Sequence, residues 1–570
     1  MPRRAQADSQ NLAGRAGKAL AWSFSNNATA KLGTVGIGVV LARLLGPHAF
    51  GVYAVAYVAL LALLNLNDLG VSLAIVRWPD DPEQIAPTVA TLSIAASVLV
   101  YLGCFFGAPE YAAAMGAPAA TSVVRVLCLV VVVDGIASTP VALLQRQFKQ
   151  GKKMIADQVN VWLGAGTTAG LAFAGFGPMS LAVGRVAGCG AALALFAGFA
   201  PAGLRVGFDR SLVRALLKFG LPLAGSAVIT FAIFDADQLV VGHVLGVTAL
   251  GFFVLAANIS NWPVTVFSQP IRSVAPAALA RLQHDRPAMR RGFLSAAGLL
   301  GALTLPACFA LSGSATPLIG LVYGSRWLPA AQALVWLAVL SGLQIILTLC
   351  YDYFVVLAAS RVVFSLQLAW LVVLTPAMIL GAELGCGNYA VAMAETAVGT
   401  GFVLPCYLRY LRKAGIGCRV IGRRFWLPAC GASAAWLGAF GAAALLPGTE
   451  VAALAAGAAV SVAVIALLGY RLRGELSLLR REGRPEATPD SPEATADSTA
   501  NAAHAPAASP AARHWSGAAD APAAQPCSTA DLPPRQREFV SSRDLPLYRQ
   551  TVAALRWDPA FDFVSSGNGW

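Results

Sequence analysis

Charge is what this sequence has least of. Asp, Glu, Lys and Arg supply 12% of its 570 residues, against roughly 25% in soluble domains, which excludes an ordinary water-soluble enzyme or binding domain. Acidic residues are the scarcer sign, 28 against 41 basic, leaving a net charge of +13. Cysteine occurs ten times but never as C-x-x-C and in no even framework. The thiols therefore read as small core hydrophobes rather than disulfides or metal ligands. Walker, dinucleotide-loop and H-E-x-x-H patterns are absent, so no nucleotide use, cofactor or zinc site is expected. Sizeable connections on one side are missing too. The longest there, around 108–118 and 313–328, carry only Glu110 and Arg326 as charged residues, which leaves a membrane enzyme nowhere to hold catalytic groups.

What is present is apolar: 57% of residues are hydrophobic and the mean hydropathy is +0.65. Apolar runs fall near 19–41, 49–72, 85–107, 119–143, 155–175, 179–202, 214–241, 248–270, 291–312, 329–357, 362–381, 389–408, 425–446 and 451–470. Each approximates the roughly 20 residues that a helix needs to cross a bilayer. The expectation is an all-α polytopic membrane protein of fourteen spans. With the N-terminus in the cytoplasm, the inner connections hold Arg146, Lys149, Lys152 and Lys153, then Arg205, Arg210 and Lys218, then Arg286, Arg290 and Arg291, then Arg409, Arg412 and Lys413. The outer ones hold little beyond Arg43 and Arg326. That alternation follows the positive-inside rule, puts both termini in the cytoplasm, and leaves no continuous basic face for nucleic acid. No small-residue cleavage site follows the basic segment 1–18, so no removable signal peptide is expected.

The chain is organised around the bend Leu45-Gly46-Pro47 between the first two runs, which returns 200 residues later as Leu245-Gly246-Val247. Lys18, Leu45, Gly46, Ala49 and Gly51 match Lys218, Leu245, Gly246, Ala249 and Gly251 at that offset. Six spans separate the copies, so both cross in the same sense, as in transporters built from parallel repeats with a path between the halves. The expected organisation is 1–18 as an N-terminal segment, 19–203 and 204–410 as six-helix halves, 411–473 as two further spans, and 474–570 as a tail.

Leu45-Gly46-Pro47-x-x-Phe50-Gly51-x-Tyr53-Ala54, followed by Asp68-Leu69-Gly70 and Arg77, resembles the first hairpin of bacterial Wzx-type polysaccharide flippases. These belong to the multidrug/oligosaccharidyl-lipid/polysaccharide exporter superfamily. Lys218-Phe219-Gly220, Asp237-Gln238-Leu239 and Leu250-Gly251-Phe252 are similar to the second. The pattern departs at Gln238, where an arginine or lysine is common. The resemblance implies alternating-access transfer of undecaprenyl-diphosphate-linked oligosaccharide units across the inner membrane, for exopolysaccharide, capsule or O-antigen synthesis. A cation-coupled drug antiporter of the same superfamily is the alternative, and a glycosyltransferase or polysaccharide polymerase the third reading.

A large anionic headgroup cannot cross hydrocarbon uncovered. The flippase reading therefore demands a hydrated cavity with cations, and ionisable residues inside spans are the candidates because they are costly there. They are Lys31, Arg125, Asp134, Arg185, Asp235, Asp237, Arg272, Asp352 and Glu395. Lys31, thirteen residues past Lys18 and so about 20 Å along the first span, is the leading phosphate candidate, with Asn26 and Asn27 a turn below for sugar hydroxyls. Its alternative is a structural pair with Asp134. Arg125 and Arg185 enter from the outer side and form an outer cation station or snorkel to the interface. Arg272 reads as an interfacial anchor. Asp237, at the position that matches the family pattern, with Asp134 and Asp235 alongside, is the candidate for ion coupling or, alternatively, for a helix–helix hydrogen bond. Arg43 and His243, repeat mates at the outer mouth, read as solvated loop ends or, alternatively, as an outer gate.

Residues 482–530 are rich in Ala, Pro, Ser, Thr and Asp, a composition that cannot bury a core. Within 543–557, Leu545, Tyr548, Val552 and Leu555 recur at helical spacing. The expectation is a cytoplasmic tail that is unstructured or docks on membrane lipid or on polymerase and export machinery.

Overall fold

A computed structural model describes residues 38–67, 72–77, 82–147, 149–210, 235–265, 285–357, 359–384, 387–446 and 448–482, with single positions at 36 and between 212 and 231. Residues to Leu479 form one compact unit and Arg480–Ala560 another; the description concerns the first. Lys31, Asn26, Asn27, Asp68, Arg272 and the tail beyond 482 lie outside the described residues.

The described residues fold into helices and no strand. In chain order they are α1 (Gly38–Asn67), α2 (Ser72–Arg77), α3 (Pro82–Ala114), α4 (Thr121–Leu127), α5 (Leu129–Arg146), α6 (Gln150–Phe173), α7 (Pro178–Phe199), α8 (Ala236–Val240), α9 (Val247–Ser260), α10 (Arg286–Gly313), α11 (Ala315–Tyr323), α12 (Leu328–Val356), α13 (Ser360–Glu383), α14 (Asn388–Val398), α15 (Leu404–Lys413), α16 (Cys418–Leu445) and α17 (Glu450–Glu482). Ten stretches among the described residues are long and apolar enough to span a membrane. One of them, α1, contains the end of the first expected span together with the second. The expected seventh and eighth spans fall partly outside the described residues.

The predicted bends are real breaks. Gly46 in α1 has φ 74 and Gly246, just before α9, has φ 83, a left-handed geometry that glycine adopts without strain. A π turn, Val241–Leu245, joins α8 to Gly246, and a second, Gly399–Val403, joins α14 to α15. Both of these π turns lie between residues 204 and 410.

Helix packing repeats between the halves. α3 packs on α5, α5 on α7 and α6 on α7; correspondingly α10 packs on α12, α12 on α14 and α13 on α14. α16 docks along α10, where Arg424 Nε donates to the Leu294 carbonyl at 3.2 Å. The most hydrophobic stretch of α12 is 67% buried, against 22% for α16 and α17, so α12 is the central post and the last two helices are peripheral. Large apolar side chains such as Phe106, Trp162, Phe364, Val372 and Leu437 are exposed, as expected where the outside solvent is lipid.

The two ends of the bundle differ. One, the hairpin rim, carries the Gly46 and Gly246 bends. The other carries most of the basic residues, several tied to backbone carbonyls: Arg146 donates to Ile75 O at 2.9 Å and Arg290 to Ala414 O at 2.8 Å.

Candidate functional site

At the hairpin rim the two halves are sealed together. Gly51 and Gly251, the repeat mates of the sequence, face each other so closely that a Cβ on Gly251 would lie 2.5 Å from Pro47 O and 3.0 Å from Gly51 N, while one on Gly51 would strike the Val247 carbonyl. Both obstacles are backbone. Trp327, 1% exposed, donates its indole N–H to Ala42 O at 3.0 Å. Its ring is held edge-on by Phe50 and Phe252, at 5.5 and 5.9 Å and 85° each. Arg43 Nε donates to Val322 O at 2.7 Å and its Nη2 to Leu321 O. His243 Nδ1 lies 2.6 Å from Ala114 O, a bond in which the ring nitrogen donates. Arg43 and His243 are thus ties between the halves, nearer to the gate than to the solvated loop ends that the sequence suggests. Nothing in their local sequence signals this, because their partners are backbone atoms 129 and more residues away.

Beneath this seal the first half presents a polar group. Asn67 Nδ2 donates to Asp134 Oδ2 at 3.1 Å. Arg185 interacts electrostatically with Asp134, Tyr53, Tyr57 and Cys189, and Tyr53 stacks on Tyr57 at 5.9 Å and 21°. Asp134 lies deep in the protein mass yet its own surface is exposed, and Tyr53, Tyr57 and Arg185 are half-buried. These polar groups therefore present open surface rather than packed core. Arg125, expected to stand with Arg185, has a partner elsewhere: its Nε donates to Phe105 O at 3.0 Å and its guanidinium lies 4.4 Å over the Phe105 ring.

The second half presents acids. Asp235 precedes α8 and accepts from Gln238 Nε2 at 3.1 Å, while Asp237 Oδ1 accepts from the Gln238 backbone N–H at 2.8 Å. Gln238, the departure from the family pattern, thus spans the two carboxylates that sequence spacing sets on different faces. Asp237 is coupled electrostatically to Asp235 and to Glu395 on α14. Glu395 is 7% exposed and its Oε2 has no hydrogen-bond partner among the described residues. Tyr57 and Asp235 interact electrostatically. Asp352, also buried, lies on α12. Two cavities, about 580 and 380 Å³, are lined at the hairpin rim by residues such as His243 and Glu383, or His48 and Phe176. None of Asp134, Arg185 or Asp237 lines them.

The repeat carries a charge reversal. Gly177 and Gly387, φ 56 and 78, precede α7 and α14, and Arg185 and Glu395 each stand eight residues further on, about 12 Å into the bundle. One half therefore offers a cation where the other offers an anion. Sequence reasoning found Arg185, Asp134, Asp235 and Asp237 as ionisable residues in apolar runs. It gave no role to Tyr53, Tyr57, Asn67 or Trp327, whose only local signal is the four-residue spacing of the two tyrosines.

A family model described as polysaccharide biosynthesis protein matches residues 40–332. The chain is 26% identical over 327 residues to the succinoglycan biosynthesis transport protein ExoT of Rhizobium meliloti (strain 1021), covering 57% of this chain and 66% of that one. It is 24% identical over 319 residues to the lipopolysaccharide biosynthesis protein WzxC of Escherichia coli (strain K12), covering 54% and 64%. The chain thus spans just under two thirds of the length of these curated relatives. Among solved structures, lipid II flippase MurJ in an inward closed conformation superposes with a TM-score of 0.62 at 14% identity, covering 79% of this chain and 99% of that one. An inward-facing multidrug resistance MATE family transporter of the MOP superfamily gives 0.56 at 17%, covering 68% and 94%. At such identities the likeness is one of fold. With more than half of its length matched by that model, this chain belongs to the polysaccharide biosynthesis protein family.

Proposed function

We propose that the chain is a flippase that moves undecaprenyl-diphosphate-linked oligosaccharide across a bacterial inner membrane by alternating access, with both termini cytoplasmic. In this reading residues 19–203 and 204–410 are the moving halves and 411–473 an attached pair of helices. The observation that carries it is the polar layer of Arg185, Asp134, Asp235, Asp237 and Glu395 beneath a closed hairpin rim, inside an apolar shell. Arg185, with Lys31 from the first span, meets the diphosphate, and the seal of Gly51, Gly251 and Trp327 opens to release it. The names of ExoT and WzxC, a transport protein and a lipopolysaccharide biosynthesis protein, support a polysaccharide cargo. Deletion of the gene is expected to abolish surface polysaccharide and to accumulate lipid-linked repeat units on the inner leaflet, read by lipid extraction. Altered drug tolerance with normal polysaccharide would instead support the antiporter, which the three carboxylates of the second half favour.

Those carboxylates are the proposed coupling site. Glu395, whose Oε2 has no hydrogen-bond partner among the described residues and which is coupled electrostatically to Asp237, must share a proton or accept a cation to stay inside the bundle. Glu395→Gln is expected to remove the dependence of transport on an imposed proton or sodium gradient and to leave substrate binding within about twofold of wild type. Transport by the variant that still follows the gradient would exclude Glu395 from coupling.

A further inference from the structure

We infer that the larger cavity at the hairpin rim is a site for the ethanolamine headgroup of a phospholipid, with Glu383 and His243 accepting from its ammonium group. The inference is independent of the cargo and concerns a second ligand. α13 packs on α8 and on the π turn that follows it. The cavity of about 580 Å³ there is lined by Leu239, Val240, His243, Val244, Ile379 and Glu383, a volume within the roughly 300–1,000 Å³ of small-molecule sites. Both walls run toward the rim: α8 leads through the π turn to the Gly246 bend, and Asn388, five residues past Glu383, donates to Ala249 O at 2.9 Å. On each wall an apolar residue lies four positions before an ionisable one, Leu239 before His243 and Ile379 before Glu383, and so about 6 Å deeper. The cavity is thus polar at the rim and apolar below, as a phospholipid is. Val244, Ile379 and the neighbouring Leu380 are exposed, so it opens sideways to hydrocarbon and not only to water.

Charge and proton position select the headgroup. His243 Nδ1 donates to Ala114 O at 2.6 Å, so in the neutral ring Nε2 carries a lone pair and only accepts. Glu383 is exposed and has no hydrogen-bond or ion-pair partner among the described residues; its carboxylate also only accepts. Among the described residues no other ionisable side chain lines the cavity. Two acceptors, one of them anionic, above an apolar floor call for a primary ammonium joined to an apolar body. An ethanolamine lipid supplies the N–H donors. A choline lipid has the positive charge but no N–H, and a glycerol lipid carries a net negative charge that Glu383 repels. An ammonium on Nε2 also keeps the ring's proton on Nδ1, where the Ala114 carbonyl uses it, so the bound lipid supports a tie between the halves.

The test is native mass spectrometry of the purified full-length protein in detergent, with dioleoyl phosphatidylethanolamine, phosphatidylcholine or phosphatidylglycerol added. Wild type is expected to hold one ethanolamine lipid about tenfold more tightly than either other lipid. Glu383→Gln, which keeps the shape of the side chain, should remove most of that preference and leave phosphatidylcholine binding within about twofold. Soluble phosphoethanolamine, the headgroup without its chains, should not displace the lipid at equal concentration. Equal wild-type retention of the three lipids would overturn the site, as would a Glu383→Gln protein that keeps its preference for ethanolamine. Displacement by phosphoethanolamine at equal concentration would mark a site for free amines and overturn the lipid assignment.

Discussion

Gly251→Ala is expected to hold the two halves apart at the hairpin rim and to cut transport by about fivefold or more. The added methyl would sit 2.5 Å from Pro47 O and 3.2 Å from Gly51 Cα. Neither atom can swing aside, because both belong to the backbone of the opposite hairpin. Overpacking of this kind costs about 1–3 kcal/mol, here charged to the sealed conformation alone. That difference lowers the sealed population roughly 5- to 150-fold relative to the open one. A transporter that cannot reseal one side cannot complete its cycle, whichever cargo it carries. The shift is readable as a distance between labels at His48 and Thr248, repeat mates that are both exposed. Labels should enter through non-canonical residues, since ten native cysteines preclude thiol chemistry. A longer distance in the variant is expected; an unchanged distance with full transport would mean that the glycine contact is not a seal.

Arg185→Ala is expected to lower transport about 30- to 4,000-fold while the protein still inserts and folds. Truncating one member of an interacting charge pair costs up to about 2–5 kcal/mol, and each 1.4 kcal/mol is a factor of ten. Two roles for Arg185 predict such a loss: contact with the anionic cargo, or neutralisation of Asp134. They separate in the double variant. If Arg185 served only to balance Asp134, Arg185→Ala with Asp134→Asn would restore transport, because no uncompensated carboxylate would remain. If it meets the cargo, the double variant stays inactive and Arg185→Lys recovers part of the rate. Radiolabelled or fluorescent lipid-linked oligosaccharide in proteoliposomes supplies the readout.

Much of the architecture was legible in the sequence because membranes constrain it heavily. Helix lengths follow from bilayer thickness, and the bends follow from glycine's tolerance of φ 74 and 83. The pairing of Gly51 with Gly251 was visible as a recurrence at constant offset, though not as a contact. Charged residues such as Arg185 and Asp237 announced themselves by their cost in apolar runs. What stayed hidden depends on which helix faces which. Asp237 and Glu395 interact electrostatically although 158 residues separate them. Trp327 reads as a loop residue, but folding carries it between Phe50 and Phe252. Arg125 has the same sequence signature as Arg185 and a different fate, because α4 turns it onto Phe105. Periodicity fixes a residue's depth along a helix and not its partner across the bundle.

Transfer of a fluorescent undecaprenyl-diphosphate oligosaccharide by the full-length protein in sealed proteoliposomes is the direct measurement. Cargo loaded on the inner leaflet would be followed as it becomes accessible to an external, membrane-impermeant quencher. Time-dependent exposure with wild type, lost in Arg185→Ala protein reconstituted to the same density, is the predicted result. Exposure no faster than in protein-free vesicles, or an Arg185→Ala protein that matches wild type, would contradict it.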